Sequence, residues 1–155
     1  MLYSASMAAG AMHAVYCEIE ETIHSQARDR AYFDIGLESR KMWHELIEEF
    51  KLQDIISADS TIMYKRVDGT PFEKANFDNA CDKADEHEIL EEVTNKELDT
   101  IFCGTLKRSE VVARRFKGEF ALDAQLLFDR INLILNELGV TIIDDKVLNL
   151  SLIHI

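Results

Sequence analysis

Nowhere in this chain is there a GxGxxG, a CxxC pair, or an apolar run of the ~18 residues that a membrane-spanning helix needs. The last absence excludes a helical membrane span, and a soluble protein is expected. Cysteine is scarce. Cys17, Cys81 and Cys103 are odd in number and far apart, which argues against a disulfide framework or a zinc knuckle and fits a reducing cytoplasm. Basic residues are also short. Seventeen Lys and Arg against 29 Asp and Glu leave a net charge of -12, which repels phosphate backbones and anionic lipid, so nucleic acid is not an expected partner. The one local exception, Lys107-Arg108 followed by Arg114-Arg115 and Lys117, has no interleaved aromatics and reads as a solvated loop or helix face. The first 17 residues contain no Lys or Arg and no Leu-rich run, which argues against a secretory signal.

What is present is a succession of periodic segments sparsely punctuated by glycine and a single proline. From residue 26 to 50, Ile35, Met42, Trp43, Leu46, Ile47 and Phe50 recur at helical spacing opposite Glu38, Arg40, Lys41, Glu45 and Glu48, which predicts an amphipathic helix on a core. Residues 60–66 are rich in β-formers and end at Asp68-Gly69, which predicts a strand. Thr70-Pro71-Phe72-Glu73 combines an N-cap, a proline at the first helical position and a capping-box Glu, and opens a helix to about Lys83. Thr94-Asn95-Lys96-Glu97 repeats the box, and the short helix it starts is expected to end at Gly104. Asp123 can cap a helix with a stripe of Leu127, Ile131, Ile134, Leu135 and Leu138, closed by Gly139. The β-branched run 140–143 then predicts a strand, and Val147 begins another. Helix, glycine turn and strand favour an α/β arrangement over a helical bundle.

The stretch Ala5-Ser6-Met7-Ala8-Ala9-Gly10-Ala11-Met12 packs small residues densely, which allows backbone N–H groups close approach to a ligand. An acidic stretch, Cys17-Glu18-Ile19-Glu20-Glu21, and the helix holding Phe33-Asp34-Ile35-Gly36-Leu37-Glu38-Ser39-Arg40 follow it. In this order the features resemble the D-amino-acid oxidase and glycine oxidase family of flavoenzymes, and the resemblance continues through Gly118-Glu119-Phe120-Ala121-Leu122-Asp123 to Val147-Leu148-Asn149-Leu150. The resemblance implies an α/β fold: part of an FAD-binding, Rossmann-like domain with the start of an α+β substrate domain. It implies that Ala5, Ser6, Met7, Ala8, Ala9 and Gly10 lie along the FAD pyrophosphate and ribityl chain, that Ala11 and Met12 lie beside the isoalloxazine ring, and that Val147 touches the adenine end. The implied substrate is a small amine or amino acid, oxidised by hydride transfer to the flavin.

The same resemblance divides the chain into residues 1–53 in the FAD-binding domain, 54–116 in the substrate domain and 117–150 back in the first. The missing GxGxxG is then expected before Met1 and the substrate-carboxylate arginine beyond Ile155, so the chain alone is expected to be inactive. Departures from the pattern, the absence of a proline after Asp123 and of a glycine near Ser60-Thr61-Ile62, leave the subfamily open. Residues 151–155, Ser-Leu-Ile-His-Ile, resemble a translated sequencing-adapter tail and read either as a non-native end or as a β-branched strand continuing residues 147–150. His13, Cys17 and Glu18 are metal ligands by type, but no second His or Cys pair follows at ligand spacing. His44 and His87 read as surface groups, and Ser4 and Ser6 lack a nucleophile-elbow context. The competing reading is a small acidic helical interaction module without a cofactor.

Overall fold

The computed structural model describes residues 11–103, 105 and 108–143. Eight elements follow one another as β1 (Ala11–His13), α1 (Ala27–Glu49), β2 (Ile56–Arg66), α2 (Pro71–Glu86), β3 (Leu90–Glu92), α3 (Asn95–Phe102), β4 (Val111–Leu122) and α4 (Ala124–Glu137). The fold is a mixed arrangement of helices on a four-stranded antiparallel sheet. β4 is its centre: β2 runs along one edge, from Arg66 opposite Val111 to Ile56 opposite Leu122. The other edge is shared by β3, with Leu90 opposite Phe116, and β1, with His13 opposite Phe120. Between those two short strands the edge of β4 at residues 117–119 lacks a ladder partner, apart from the Lys117 N–H, which donates to the Ile89 carbonyl at 2.9 Å.

That gap coincides with an irregularity in the sheet. Ser60 pairs with Lys117 but Ala58 pairs with Ala121, so two extra residues are accommodated on β4. Gly118 takes up the distortion in the left-handed region at φ 70°, where a residue without a Cβ is least strained. The bulge turns the side chain of Glu119 into the protein, where it is fully buried.

The N-terminal ends of the helices behave as their sequences require. Thr70 accepts from the Glu73 N–H and Glu73 returns the bond to the Thr70 N–H; Thr94 and Glu97 do the same, and Asp123 accepts from Leu126. At its C-terminus α4 closes with a Schellman pair, Val140 N–H to the Leu135 carbonyl and Gly139 N–H to Asn136. Helix α3 ends on Cys103 in the left-handed region at φ 47°; Gly104, the expected stop, lies outside the described residues.

Three expectations need correction. The run at 140–143 pairs with no strand among the described residues: β-branched composition favours an extended chain, but only backbone pairing with a neighbour makes it a strand. Within the basic cluster, Arg114, Arg115 and Lys117 lie neither on a loop nor on a helix face but on the central strand, and pair with Glu92, Glu97 and Glu91 at 3.0, 2.6 and 3.2 Å. Its charge is thereby answered across the β3–β4 edge and at the start of α3. The apolar residues of α1 do not form one buried face either. Trp43, Ile47 and Phe50 join Phe120 and Leu122 in one core cluster, whereas Ile35, Met42 and Leu46 remain exposed. A second core cluster joins Tyr16, Ile19, Ala80, Ala84 and Phe116.

Glu97 carries a pH signature. Its carboxylate accepts from the Thr94 hydroxyl and N–H and, on the other oxygen, from Arg115. The Thr94 hydroxyl first, and then the Arg115 guanidinium, hold its carboxyl down to about 2 from an ordinary 4.5. A folded-state value below the unfolded one contributes stability above about 4.5 that disappears as pH falls toward about 2. Urea midpoints followed through that window should therefore fall less steeply for Glu97→Gln than for the native chain, and the difference should shrink in high salt because the pair is exposed. Parallel acid limbs would show that Glu97 is not so held.

Candidate functional site

An open cleft of about 460 Å³ lies between α1 and the segment that leaves β1, with Val15, Ile19, Ile23 and Phe33 among its apolar walls. The two sides come together because of a glycine. A Cβ on Gly36 would sit 2.9 Å from Cγ1 of Val15, so helix and segment touch at a distance only glycine permits. A second hollow, of about 550 Å³, is lined by residues of α1 alone, Ile35, Met42, Trp43 and Leu46 among them, and offers mainly an apolar helix surface. The first combines walls from two elements with polar groups, which is what orienting a small molecule requires.

Behind the cleft the segment is pinned by the buried Glu119. One carboxylate oxygen accepts from the Tyr16 N–H at 2.6 Å and the Cys17 N–H at 3.4 Å, and the other from the Cys17 thiol at 3.3 Å. These bonds fill the gap between β1 and β3. Tyr16, itself fully buried, bonds through its hydroxyl to Nδ1 of His87 at 2.6 Å and meets Phe33 edge-on at 5.4 Å. Burial raises the Tyr16 phenol above its ordinary value. Burial and then the Glu119 carboxylate push the Cys17 thiol far up, and burial raises Cys81 to about 11. Neither is a thiolate at neutral pH, so neither has the character of a reactive nucleophile.

Around the cleft, His13 lies within 3.2 Å of Ser39 through Nε2 and Oγ, and its ring stacks on Phe120 at 5.1 Å and 9°. Burial lowers its proton affinity, so it is a neutral imidazole near pH 7. Asp29 bonds to the Thr22 hydroxyl and to Arg28, which is largely exposed. Glu18 and Glu20 line the cleft without a salt-bridge partner among the described residues. The lining therefore carries three carboxylates against one guanidinium, and that guanidinium is already engaged.

Of the residues expected to touch a cofactor, Ala5, Ser6, Met7, Ala8, Ala9, Gly10 and Val147 lie outside the described residues. Ala11 and Met12 form β1, opposite Leu122 and Ala121, and Met12 is 60% exposed at the edge of the cleft. His44 is exposed, as expected, and meets Phe120 edge-on. His87 is exposed but engaged, bonded to Tyr16 and stacked on Phe33. Among the described residues, His13, Cys17 and Glu18 form no metal-holding group: His13 meets Ser39 and Cys17 meets Glu119. Sequence reasoning missed Glu119. Its only trace is a lone acid after a glycine inside Phe-Lys-Gly-Glu-Phe-Ala-Leu. Among the described residues, no helix is long and apolar enough to cross a membrane. Neither known protein families nor characterised proteins give a match to this chain.

Proposed function

We propose that the chain is part of an FAD-dependent oxidoreductase that oxidises a small amine or amino acid by hydride transfer, with β1 and α1 belonging to its Rossmann-like FAD-binding half. The observation that carries this reading is Met12. The residue expected beside the flavin ring is exposed at the edge of a cleft with aromatic and aliphatic walls. The same cleft suits the parts of the cofactor unequally. Val15, Ile19, Ile23 and Phe33 fit an uncharged ring, whereas Glu18, Glu20 and Asp29 would repel a diphosphate, which accords with a pyrophosphate cradle along Ala5 to Gly10 and a helix N-terminus supplied elsewhere in the enzyme. The exposed Ile35, Met42 and Leu46 on the outer side of α1 suit a helix packed between two layers.

Flavin, when bound, supplies the hydride acceptor. The chain's own contribution is orientation and exclusion of water: Met12 beside the ring, His13 and Ser39 at the near wall, and Glu119 holding the far wall in place. The test is flavin content. The complete enzyme should be yellow and should lose most of its flavin absorbance on Gly10→Val, which closes the backbone approach, while a His44→Ala variant stays yellow. The isolated chain should bind FAD weakly or not at all. A colourless complete protein, or flavin retained in Gly10→Val and lost in His44→Ala, rejects this placement of the cofactor, and the cofactor-free interaction module then becomes the leading reading.

A further inference from the structure

Strand β2 is 11 residues long, and its outer side pairs with no other strand among the described residues. The direction of its backbone groups follows from two bonds around β4. The Val67 N–H donates to the Glu110 carbonyl at 2.8 Å, one step beyond the Arg66–Val111 pair, and the Lys117 N–H, opposite Ser60, turns away from β2 to the Ile89 carbonyl. In an antiparallel pair, bonded and non-bonded positions alternate. Thr61, Met63 and Lys65 therefore bond to β4, while Ser60, Ile62 and Tyr64 point their N–H and C=O groups outward. No backbone group among the described residues meets them there. The stretch is also unguarded. The register irregularities fall between Ile56 and Ser60, and from Ser60 to Tyr64 the strand is regular, with no charge and no proline. Those are devices that ordinarily keep an open edge from pairing.

We infer that this edge pairs with the same edge of a second copy of the chain, antiparallel about Ile62, so that the sheet continues across a two-fold axis. In that register Ile62 meets its own counterpart and Ser60 meets Tyr64, and each outward N–H of the three finds a carbonyl. Charge selects the antiparallel direction. Asp59 and Lys65 stand three residues to either side of Ile62, so the acidic end of each strand comes beside the basic end of the other. A parallel arrangement in register would instead set Lys65 and Arg66 beside their own counterparts. Lys65 also serves Asp78 on α2, and an ammonium with three donors can serve both. Because the pairing is isologous it uses up the edge, and the assembly closes at two copies.

Sedimentation velocity and amide hydrogen exchange are followed together from about 20 μM to about 2 mM chain, where a modest interface passes from nearly empty to mostly filled. Salt is added to screen the net charge of -12. The mass should double over that range, and exchange at the Ser60, Ile62 and Tyr64 amides should slow about fivefold with it. The Thr61, Met63 and Lys65 amides, already bonded to β4, should not change. Tyr64→Pro removes an outward N–H without touching the β4 ladder and should stay monomeric, whereas Tyr64→Phe keeps that N–H and should dimerise like the native chain. Ser60→Pro repeats the test at the other end of the pairing, and a urea transition in either proline variant shows that it is folded. A native chain that stays monomeric while the three amides exchange freely overturns the proposal. So does a monomer in which they are protected at every concentration, because another part of the chain then covers the edge. A dimer that survives both proline substitutions, or that leaves the three amides unchanged, meets through another surface and overturns it as well, as does open-ended assembly. None of these outcomes involves FAD, so this inference and the flavin reading can fail separately.

Discussion

Glu119→Ala should destabilise the chain by about 3 kcal/mol, read as a lower urea midpoint at unchanged slope, because buried backbone donors are left without an acceptor and a cavity opens beside them. Glu119 is fully enclosed, and its oxygens are the acceptors for the Tyr16 and Cys17 N–H groups and the Cys17 thiol. Tyr16 is equally enclosed, so water cannot take over at its N–H without opening the core. Glu119→Gln keeps one carbonyl oxygen for the Tyr16 N–H and should cost about 1 kcal/mol. An exposed control, Glu48→Ala, should stay within about 0.5 kcal/mol of the native chain. The same substitution should also disturb the cleft, because residues 14–20 form its wall and have no ladder bonds of their own at Tyr16 and Cys17. Loss of the Ile19 and Ile23 methyl dispersion in Glu119→Ala, with retention in Glu119→Gln, would tie stability to the shape of the site. A Glu119→Ala variant that unfolds at the native urea concentration would mean that the carboxylate is not the anchor of this segment.

The elements that the sequence made legible are those in which a local rule decides the outcome. Capping boxes at Thr70 and Thr94 name the first turn of a helix by themselves, because the side chains that satisfy the orphan N–H groups are adjacent in the chain. The stop at Gly139 is local in the same sense. What could not be read is what depends on a partner distant in sequence. Strand β4 carries three basic side chains within its middle, which looks like a solvated surface until Glu91, Glu92 and Glu97 are brought against them. The residues 140–143 have the composition of a strand and pair with none among the described residues. On α1 the 3.6-residue repeat correctly marks a helix but overstates its buried face, since Ile35 and Met42 fit the pattern as well as Ile47 does and yet lie in solvent. For the candidate site, the sequence singled out Met12 only through a resemblance, while the cleft itself depends on Gly36 meeting Val15 and on Glu119 reaching Tyr16, 103 positions away. Neither contact leaves a periodic trace.

Gly118→Ala should cost about 2 to 3 kcal/mol, the sum of about 1–2 kcal/mol for a left-handed residue bearing a Cβ and about 1 kcal/mol for a displaced hydrogen bond. The backbone sits at φ 70°, and a Cβ there would lie 2.3 Å from Nη2 of Arg40. Arg40 is not a passive neighbour. Its Nε donates to the Gly118 carbonyl at 3.0 Å and its Nη2 to the Lys117 carbonyl at 3.4 Å, so it ties α1 to the bulge that delivers Glu119 inward. A long side chain can swing away from the new methyl group, but only by giving up those bonds, while the backbone strain stays wherever the side chain goes. The two contributions are therefore separable. In an Arg40→Ala background the clash is gone before the substitution is made, and Gly118→Ala should cost only the conformational part, about 1–2 kcal/mol. The double-mutant cycle should show a coupling of about 1 kcal/mol, well above the scatter expected for independent sites. Additive losses would mean that the guanidinium is not seated over residue 118. A neutral Gly118→Ala would mean that β4 passes this point as a regular strand, and the burial of Glu119 would then need another cause.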